Sequence, residues 1–213
     1  DKIREGIDAG VFYYLVKPAS DDLIKSVAAS AVGERRQKRL LAAQLARYDV
    51  ALKTVTAMQC SVSSLIEAEN VGCLIASCFP DPQRVVTGLI ELLINAVEHG
   101  NLGIDYEEKG QLLNVGAWEA EIARRLALPE FEQKSAEAVF QRKPQGWFVQ
   151  ITDQGGGFDW RRYWQIDPAH AAASHGRGIA RARLLSFDQI AYNDVGNQVR
   201  VMVKASQDSD FKW

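Results

Sequence analysis

The stretch from residue 81 to residue 100 most restricts what this chain can fold into, because it is patterned as one amphipathic helix. Asp81 is a good N-cap, Pro82 suits the first turn, and Gly100 is a natural end. The apolar side chains recur at helical spacing: Val86, Leu89, Ile90, Leu93, Ile94 and Val97. At about 100° per residue, the polar ones fall in one opposite sector: Glu91, Asn95, Glu98 and His99. The pattern predicts a half-buried helix that presents a carboxylate beside an amide, and a merely solvated polar side stays an alternative.

Two glycine-rich segments lie further along the chain. Residues 147–152 alternate between apolar and polar side chains, which predicts a strand, and the residues that follow it are Asp153-Gln154-Gly155-Gly156-Gly157-Phe158. A helical segment at 180–185 is preceded by Ser174-His175-Gly176-Arg177-Gly178-Ile179, and exposed amides at a helix start suit phosphate. Taken alone, a glycine cluster is more often a turn than a phosphate cradle. The order of the three segments is therefore more informative than any one of them.

In that order the segments read Glu-x-x-x-Asn-Ala-x-x-His-Gly, Asp-x-Gly-x-Gly-Phe and His-Gly-x-Gly-Ile. They resemble the three ATP-binding boxes of the GHKL (histidine-kinase-like) ATPases, and the branch with the anti-sigma-factor serine kinases is the most similar. The resemblance covers residues 59–205. It implies the Bergerat ATP-binding fold, which is an α+β, two-layer α/β sandwich with a mixed, largely antiparallel sheet.

The resemblance also implies roles for the matching residues. Glu91 would be the general base for a substrate hydroxyl, and Asn95 the protein ligand of Mg²⁺ beside phosphate oxygens and water. Asp153 would accept a hydrogen bond from the amino group of adenine. His99 either lies near the phosphates or caps the helix end. The other implied nucleotide-binding residues are Gly155, Gly157, Phe158, Gly176, Arg177, Gly178 and Ile179, and residues 160–174 would form a lid. Trp160 and Trp164 either pack within this lid or stack on adenine, and packing is favoured.

The N-terminal residues 1–33 are patterned as helix, strand and helix, over 2–9, 11–16 and 21–32. This order looks like the end of a response-regulator receiver domain, in which a lysine such as Lys17 reads a phosphorylated aspartate. That aspartate would lie upstream, so we do not expect this segment to accept a phosphoryl group. Residues 34–58 predict a linker helix with a heptad-like apolar seam, either packed on its own domain or paired in a dimer. Residues 206–213 are expected to be a tail.

Within residues 59–205, periodicity predicts the remaining elements. They are a first strand at 60–65, a helix at 67–79, helices at 107–115 and 117–126, a strand at 136–142, and a hairpin over 189–204. The segment from 101 to 146 has no predicted role. Cys60, Cys73 and Cys78 lack metal-ligand spacing, so we expect reduced and mostly buried thiols.

Composition restricts the partners. With 47% hydrophobic residues and a formal charge of −2, the chain is typical of a soluble protein, and nucleic acid is not an expected partner. We find no apolar run near the roughly 20 residues that cross a bilayer and no signal peptide, so we expect a cytoplasmic protein that binds no membrane.

The expected function is that of an ATP- and Mg²⁺-dependent serine/threonine protein kinase in bacterial signalling, with an anti-sigma-factor antagonist or similar regulator as substrate. The linker helix carries no histidine for phosphorylation, since the histidines of the chain are His99, His170 and His175. Two alternatives stay open. One is a nucleotide-gated module that binds a sigma factor or another regulator without chemistry. The other is a catalytic half that phosphorylates a histidine in a separate protein.

Overall fold

A computed structural model of the chain describes residues 18, 20–45, 49–164 and 178–205. The α-helices in chain order are α1 Asp21–Leu45, α2 Asp49–Leu52, α3 Leu65–Ala76, α4 Pro82–Asn95, α5 Tyr106–Asn114, α6 Trp118–Leu126, α7 Pro129–Glu132 and α8 Gly178–Arg181. Wider π-helical turns, Ala96–Asn101 and Ala182–Ser186, continue α4 and α8, and a 3-10 turn covers Trp160–Tyr163. The strands are β1 Ala57–Val62, β2 Ala136–Lys143, β3 Gly146–Thr152, β4 Gln189–Tyr192 and β5 Gln198–Lys204. The described part of the chain is therefore α+β, as predicted.

The strands form one open sheet in the order β1-β2-β3-β5-β4. Every neighbouring pair is antiparallel, so the prediction of a mixed sheet is wrong for the described residues. β1–β2 and β3–β5 are antiparallel across long connections, whereas hairpins account for the other two pairs: β2 turns directly into β3, and β4 returns as β5 after a short loop. A parallel pair would need a longer crossover connection.

The core lies on one face of this sheet. In β2, Ala136, Ala138 and Phe140 are buried while Glu137 and Gln141 are exposed, which is the alternation of a strand covered on one side. Helices α3 and α4 belong to the same core cluster as this face. The arrangement is consistent with a two-layer α/β fold.

Local sequence explains the start of α4. The Asp81 side chain accepts a hydrogen bond from the Arg84 amide at 3.1 Å, and Pro82 lies in the first turn, so this N-terminus is confirmed. Gly72 of α3 lies against Ile90 of α4, where a β-carbon would come within 2.7 Å of the Ile90 Cγ1 atom. The glycine therefore lets these two helices pack closely.

Several predicted boundaries shift by two to four positions, most clearly at the first strand and the first helix of the domain. Ser64 accepts from the Glu67 amide at 3.3 Å while Glu67 accepts from the Ser64 amide at 3.3 Å, which is a capping box. This cap starts α3 at Leu65, so the predicted strand over 60–65 is wrong at its end. The later elements agree closely with prediction: α5, α6, β2, and the hairpin of β4 and β5.

The end of the Asn95 helix differs from prediction. Gly100 does not stop it, because the chain continues through a π-helical turn to Asn101, and the Leu102 amide donates to the Val97 carbonyl at 2.9 Å. The residue with a left-handed backbone is Gly103, at φ +66°. Gly103 therefore has the helix-ending role that was predicted for Gly100.

Helix α1 runs through Gly33, although the prediction ended one helix at residue 32 and began the linker helix at residue 34. A single glycine inside a helix costs only about 1 kcal/mol relative to alanine, so it does not force an end. Helix α1 contacts α3 and α4, and Leu52 and Val55 pack against the core. The predicted elements at 2–9 and 11–16, Lys17, and the tail at 206–213 lie outside the described residues. The division into domains stays a prediction.

Candidate functional site

Glu91 and Gly178, which are far apart in sequence, are in contact. Glu91 lies half-buried on α4, and Gly178 is the first residue of α8. A β-carbon at position 178 would overlap the Glu91 Oε2 atom. The structure therefore brings the carboxylate of the first motif against Gly178, a residue of the third motif that also begins α8.

A second contact joins the end of the same helix to the strand that ends before Asp153. A β-carbon at Gly100 would overlap the side chain of Asp153 and come within 2.6 Å of its Oδ1 atom. A β-carbon at Gly155 would lie only 2.9 Å from the Gly100 Cα atom. The first and second motifs therefore meet backbone to backbone, at the opposite end of the Glu91–Gly100 segment from Gly178.

The two spaced glycines of the second motif face protein atoms. Gly155 packs against the Gly100 carbonyl group, and Gly157, at φ +80°, packs against the backbone of Val195. The side chain of Phe158 contacts the rings of Tyr163 and Tyr192, with ring centroids 5.9 and 5.6 Å away. Packing within the chain is thus enough to require glycine at both positions.

Asp153 is held by backbone groups at this junction. Its amide donates to the Asn197 carbonyl at 3.0 Å, and its Oδ1 atom accepts from the Gly155 amide at 2.8 Å. Burial raises the pKa of Asp153 from 3.8 to about 6, although the hydrogen bond from Gly155 and the charge of Lys134 oppose this shift. At neutral pH the carboxylate is therefore mostly ionised and accepts hydrogen bonds.

Asn95 and His99 follow Glu91 along the chain and have different surroundings. Asn95 is half-buried, and its side chain makes no hydrogen bond to the residues that the structure describes. The His99 Nδ1 atom is hydrogen-bonded to the backbone carbonyl of Ile104, just beyond the helix end. The amide oxygen of Asn95 is available to a ligand, whereas one ring nitrogen of His99 closes the following loop.

Glu98 does not belong to the polar sector in which it was predicted. Its side chain is 0% exposed, with Oε2 2.5 Å from the Lys109 ammonium and Oε1 2.6 Å from the Trp118 indole nitrogen. The π-helical turn changes the angular spacing after Asn95, and α5 and α6 supply both partners. The prediction failed because these partners lie in the segment for which no role was predicted.

That segment covers the end of the Asn95 helix. Arg125 of α6 donates to the Leu102 carbonyl at 2.9 Å and pairs with Glu108 and Glu121. Beneath it, the Asn101 Oδ1 atom accepts from the Gln154 amide at 2.9 Å. Asn101 follows the first motif directly, yet no pattern in the sequence marks its contact with Gln154.

The structure describes only some of the remaining predicted residues. Ile179 is 6% exposed and belongs to the core, so its side chain packs inside the protein. Trp160 stacks on Tyr192 at 5.7 Å and donates from its indole nitrogen to the Asn193 carbonyl at 3.0 Å, which supports packing as its role. Gly176, Arg177, His170, His175 and most of the predicted lid lie outside the described residues.

A cavity of about 590 Å³ lies at the N-terminal end of α4, the opposite end from Asn95. Its walls include Phe79, Arg84, Asp188 and Val203, and none of the predicted site residues line it. Within the described ranges, no three or more His, Cys, Asp or Glu side chains are grouped as a metal site.

The chain matches no protein-family model, no curated protein and no solved structure in the comparisons made with it. The resemblance to GHKL ATPases thus remains a prediction that depends on the three motifs. None of the helices in the described ranges combines the length and the apolar character that a bilayer crossing needs.

Proposed function

We propose that this chain is an ATP- and Mg²⁺-dependent serine/threonine protein kinase of the anti-sigma-factor type, built on the Bergerat ATP-binding fold. Its substrate would be a regulatory protein such as an anti-sigma-factor antagonist. The observation that carries the proposal is the convergence of three motifs on one helix segment, with Glu91 against Gly178 and Gly100 against Asp153 and Gly155. An antiparallel sheet covered on one face by helices agrees with the proposed fold.

The residues present fit an adenine nucleotide. The Asp153 Oδ2 atom has no hydrogen-bond partner among the described residues, so it can accept from an adenine amino group. Asn95 offers one oxygen without a described partner, and Mg²⁺ accepts a site in which the protein supplies few ligands. Gly178, together with Gly176 and Arg177, would contact the phosphates.

The proposed chemistry assigns the proton to Glu91. Its carboxylate would accept the proton of a substrate serine or threonine hydroxyl while the hydroxyl oxygen bonds to the γ-phosphorus and the bond to ADP breaks. Bound Mg²⁺ would neutralise part of the phosphate charge. Asn95 would orient the metal, and Asp153 would hold the adenine ring at the other end of the site.

Phosphotransfer from labelled ATP to a purified antagonist tests the proposal, with Glu91→Gln as the decisive variant. We expect this variant to bind ATP but to lose phosphotransfer by a factor of at least about 100, since a general base contributes 10² to 10⁴. Glu119→Gln, an exposed carboxylate on α6, is the matched control and should label like the wild type. Equal labelling by Glu91→Gln and the wild type would remove Glu91 from the mechanism.

The same experiment separates the other two functions. A nucleotide-gated binding module would yield no labelled protein, and its partner binding would survive Glu91→Gln but not Asp153→Asn. A histidine kinase acting on a separate protein would yield an acid-labile, base-stable product. A serine or threonine product is stable in acid.

A further inference from the structure

The segment between α4 and β2 supplies one member of a charged pair in the turn that contacts the Asp153 loop. Both oxygens of the buried Glu98 carboxylate are engaged, one by Lys109 at 2.5 Å and the other by Trp118 at 2.6 Å. The Lys109 ammonium also lies 5.5 Å from the centre of the Trp118 ring. Because a buried carboxylate is costly without a cation, Lys109 restricts where this part of the chain can lie.

The π-helical turn that carries Glu98 also carries the two residues that hold the Asp153 loop. Gly100 packs against Asp153 and Gly155, and the Asn101 Oδ1 atom accepts from the Gln154 amide at 2.9 Å. Asn101 is 2% exposed, and its Nδ2 atom has no partner in the described part of the chain. An asparagine whose buried donor is left unpaired is costly, so its acceptor contact with Gln154 has to compensate.

We propose that Lys109 and Asn101 are positioning residues for the part of the nucleotide site that would hold adenine. Lys109 fixes the π-helical turn through Glu98, and Asn101 transmits that position to the loop of Asp153. This inference deepens the proposed function and rests on it. The hydrogen bonds and ion pair of Lys109 and Asn101 go to Glu98 and Gln154, so the pair should govern nucleotide affinity and base preference rather than phosphoryl transfer.

The test compares Lys109→Met with the wild-type chain. Methionine keeps much of the side-chain length but leaves Glu98 without its cation. We expect about tenfold weaker ATP binding in calorimetry, the size of losing one hydrogen bond to a charged group, with a reduced preference for ATP over GTP. The turnover number at saturating ATP should be unchanged. Amide hydrogen exchange at Gln154 and Gly155 should accelerate even without nucleotide.

Arg84→Met is the matched control, because it removes an ion pair at the other end of α4. Arg84 pairs with Asp188 at 2.6 Å, away from the predicted site. This variant should leave base preference and exchange in the Asp153 loop unchanged. The double variant Glu98→Gln with Lys109→Met should restore affinity, because glutamine keeps an acceptor for Trp118 without a buried charge.

If Lys109→Met does not fold, Asn101→Ala decides the question, since it leaves the ion pair intact and removes the acceptor of Gln154 together with the unpaired Nδ2 atom. Wild-type affinity, base preference and exchange in a folded variant would overturn the proposal. So would the same exchange change in Arg84→Met. A wild-type chain that binds no adenine nucleotide would overturn the proposed function as well, whereas unchanged variants of an ATP-binding wild type would overturn this inference alone.

Discussion

Gly155, Gly156 and Gly157 are consecutive but have different surroundings, which makes alanine substitution a sensitive test of the structure. A β-carbon at Gly155 would come within 2.7 Å of the Gly100 carbonyl carbon, a backbone atom that cannot rotate away. At Gly156 no atom lies within 4 Å. Gly157 is crowded by the Val195 backbone and also has φ +80°. The three positions therefore separate crowding, free space, and crowding combined with backbone strain.

The expected free energies of unfolding follow from these contacts. Gly155→Ala should lower stability by about 1–3 kcal/mol, the usual cost of overpacking. Gly157→Ala should lose roughly 1–2 kcal/mol more, since a side chain disfavours the left-handed backbone. Gly156→Ala should stay within about 0.5 kcal/mol of the wild type. Urea unfolding of the three variants measures these differences, and a Gly155→Ala variant as stable as Gly156→Ala would refute the close contact between the first and second motifs.

Asp153 and the buried cysteines give two further predictions. Because burial raises the Asp153 pKa from 3.8 to about 6, its stabilising contribution should be fully present below about pH 4 and lost as the pH rises through about 6. Urea unfolding across this range should show that loss in the wild type and not in Asp153→Asn, and equal pH profiles would contradict it. Burial also raises the pKa of Cys73 and of Cys78 to about 11, so both thiols should react with a disulfide reagent at neutral pH far more slowly than in denaturant. Labelling of either thiol as fast as the half-buried Cys60, followed by mass spectrometry, would be inconsistent with their burial.

The features that depend on neighbouring residues could be predicted from the sequence. The Asp81 cap with Pro82 in the first turn is such a case, because donor and acceptor lie three positions apart. The hairpin of β4 and β5 is another, since alternation and turn residues are both local signals. The structure brings Glu91 against Gly178 and Gly100 against Asp153, while a shared nucleotide site and the roles assigned to Glu91 and Asn95 stay predictions.

The features that depend on distant residues could not be predicted. On an ideal helix Glu98 falls beside Asn95, yet its partners lie 11 and 20 positions further along and draw it into the interior. Gly100 has the composition signal of a helix end, but its contact with Asp153 spans more than 50 positions and shows that close packing is the requirement there. Periodicity describes one helix at a time, and these residues are determined by what packs against it.

The hydrogen bond from the Asp153 amide to the Asn197 carbonyl, 3.0 Å long, ties the residue after β3 to the turn between β4 and β5. In that turn the Asn193 Oδ1 atom accepts from the amides of Gly196 and Gln198, at 2.7 and 3.2 Å. A residue inserted there would displace the carbonyl that holds Asp153, so this turn should accept insertions less readily than a surface loop without such a partner. The hairpin at the edge of the sheet thus limits how far the second motif can vary.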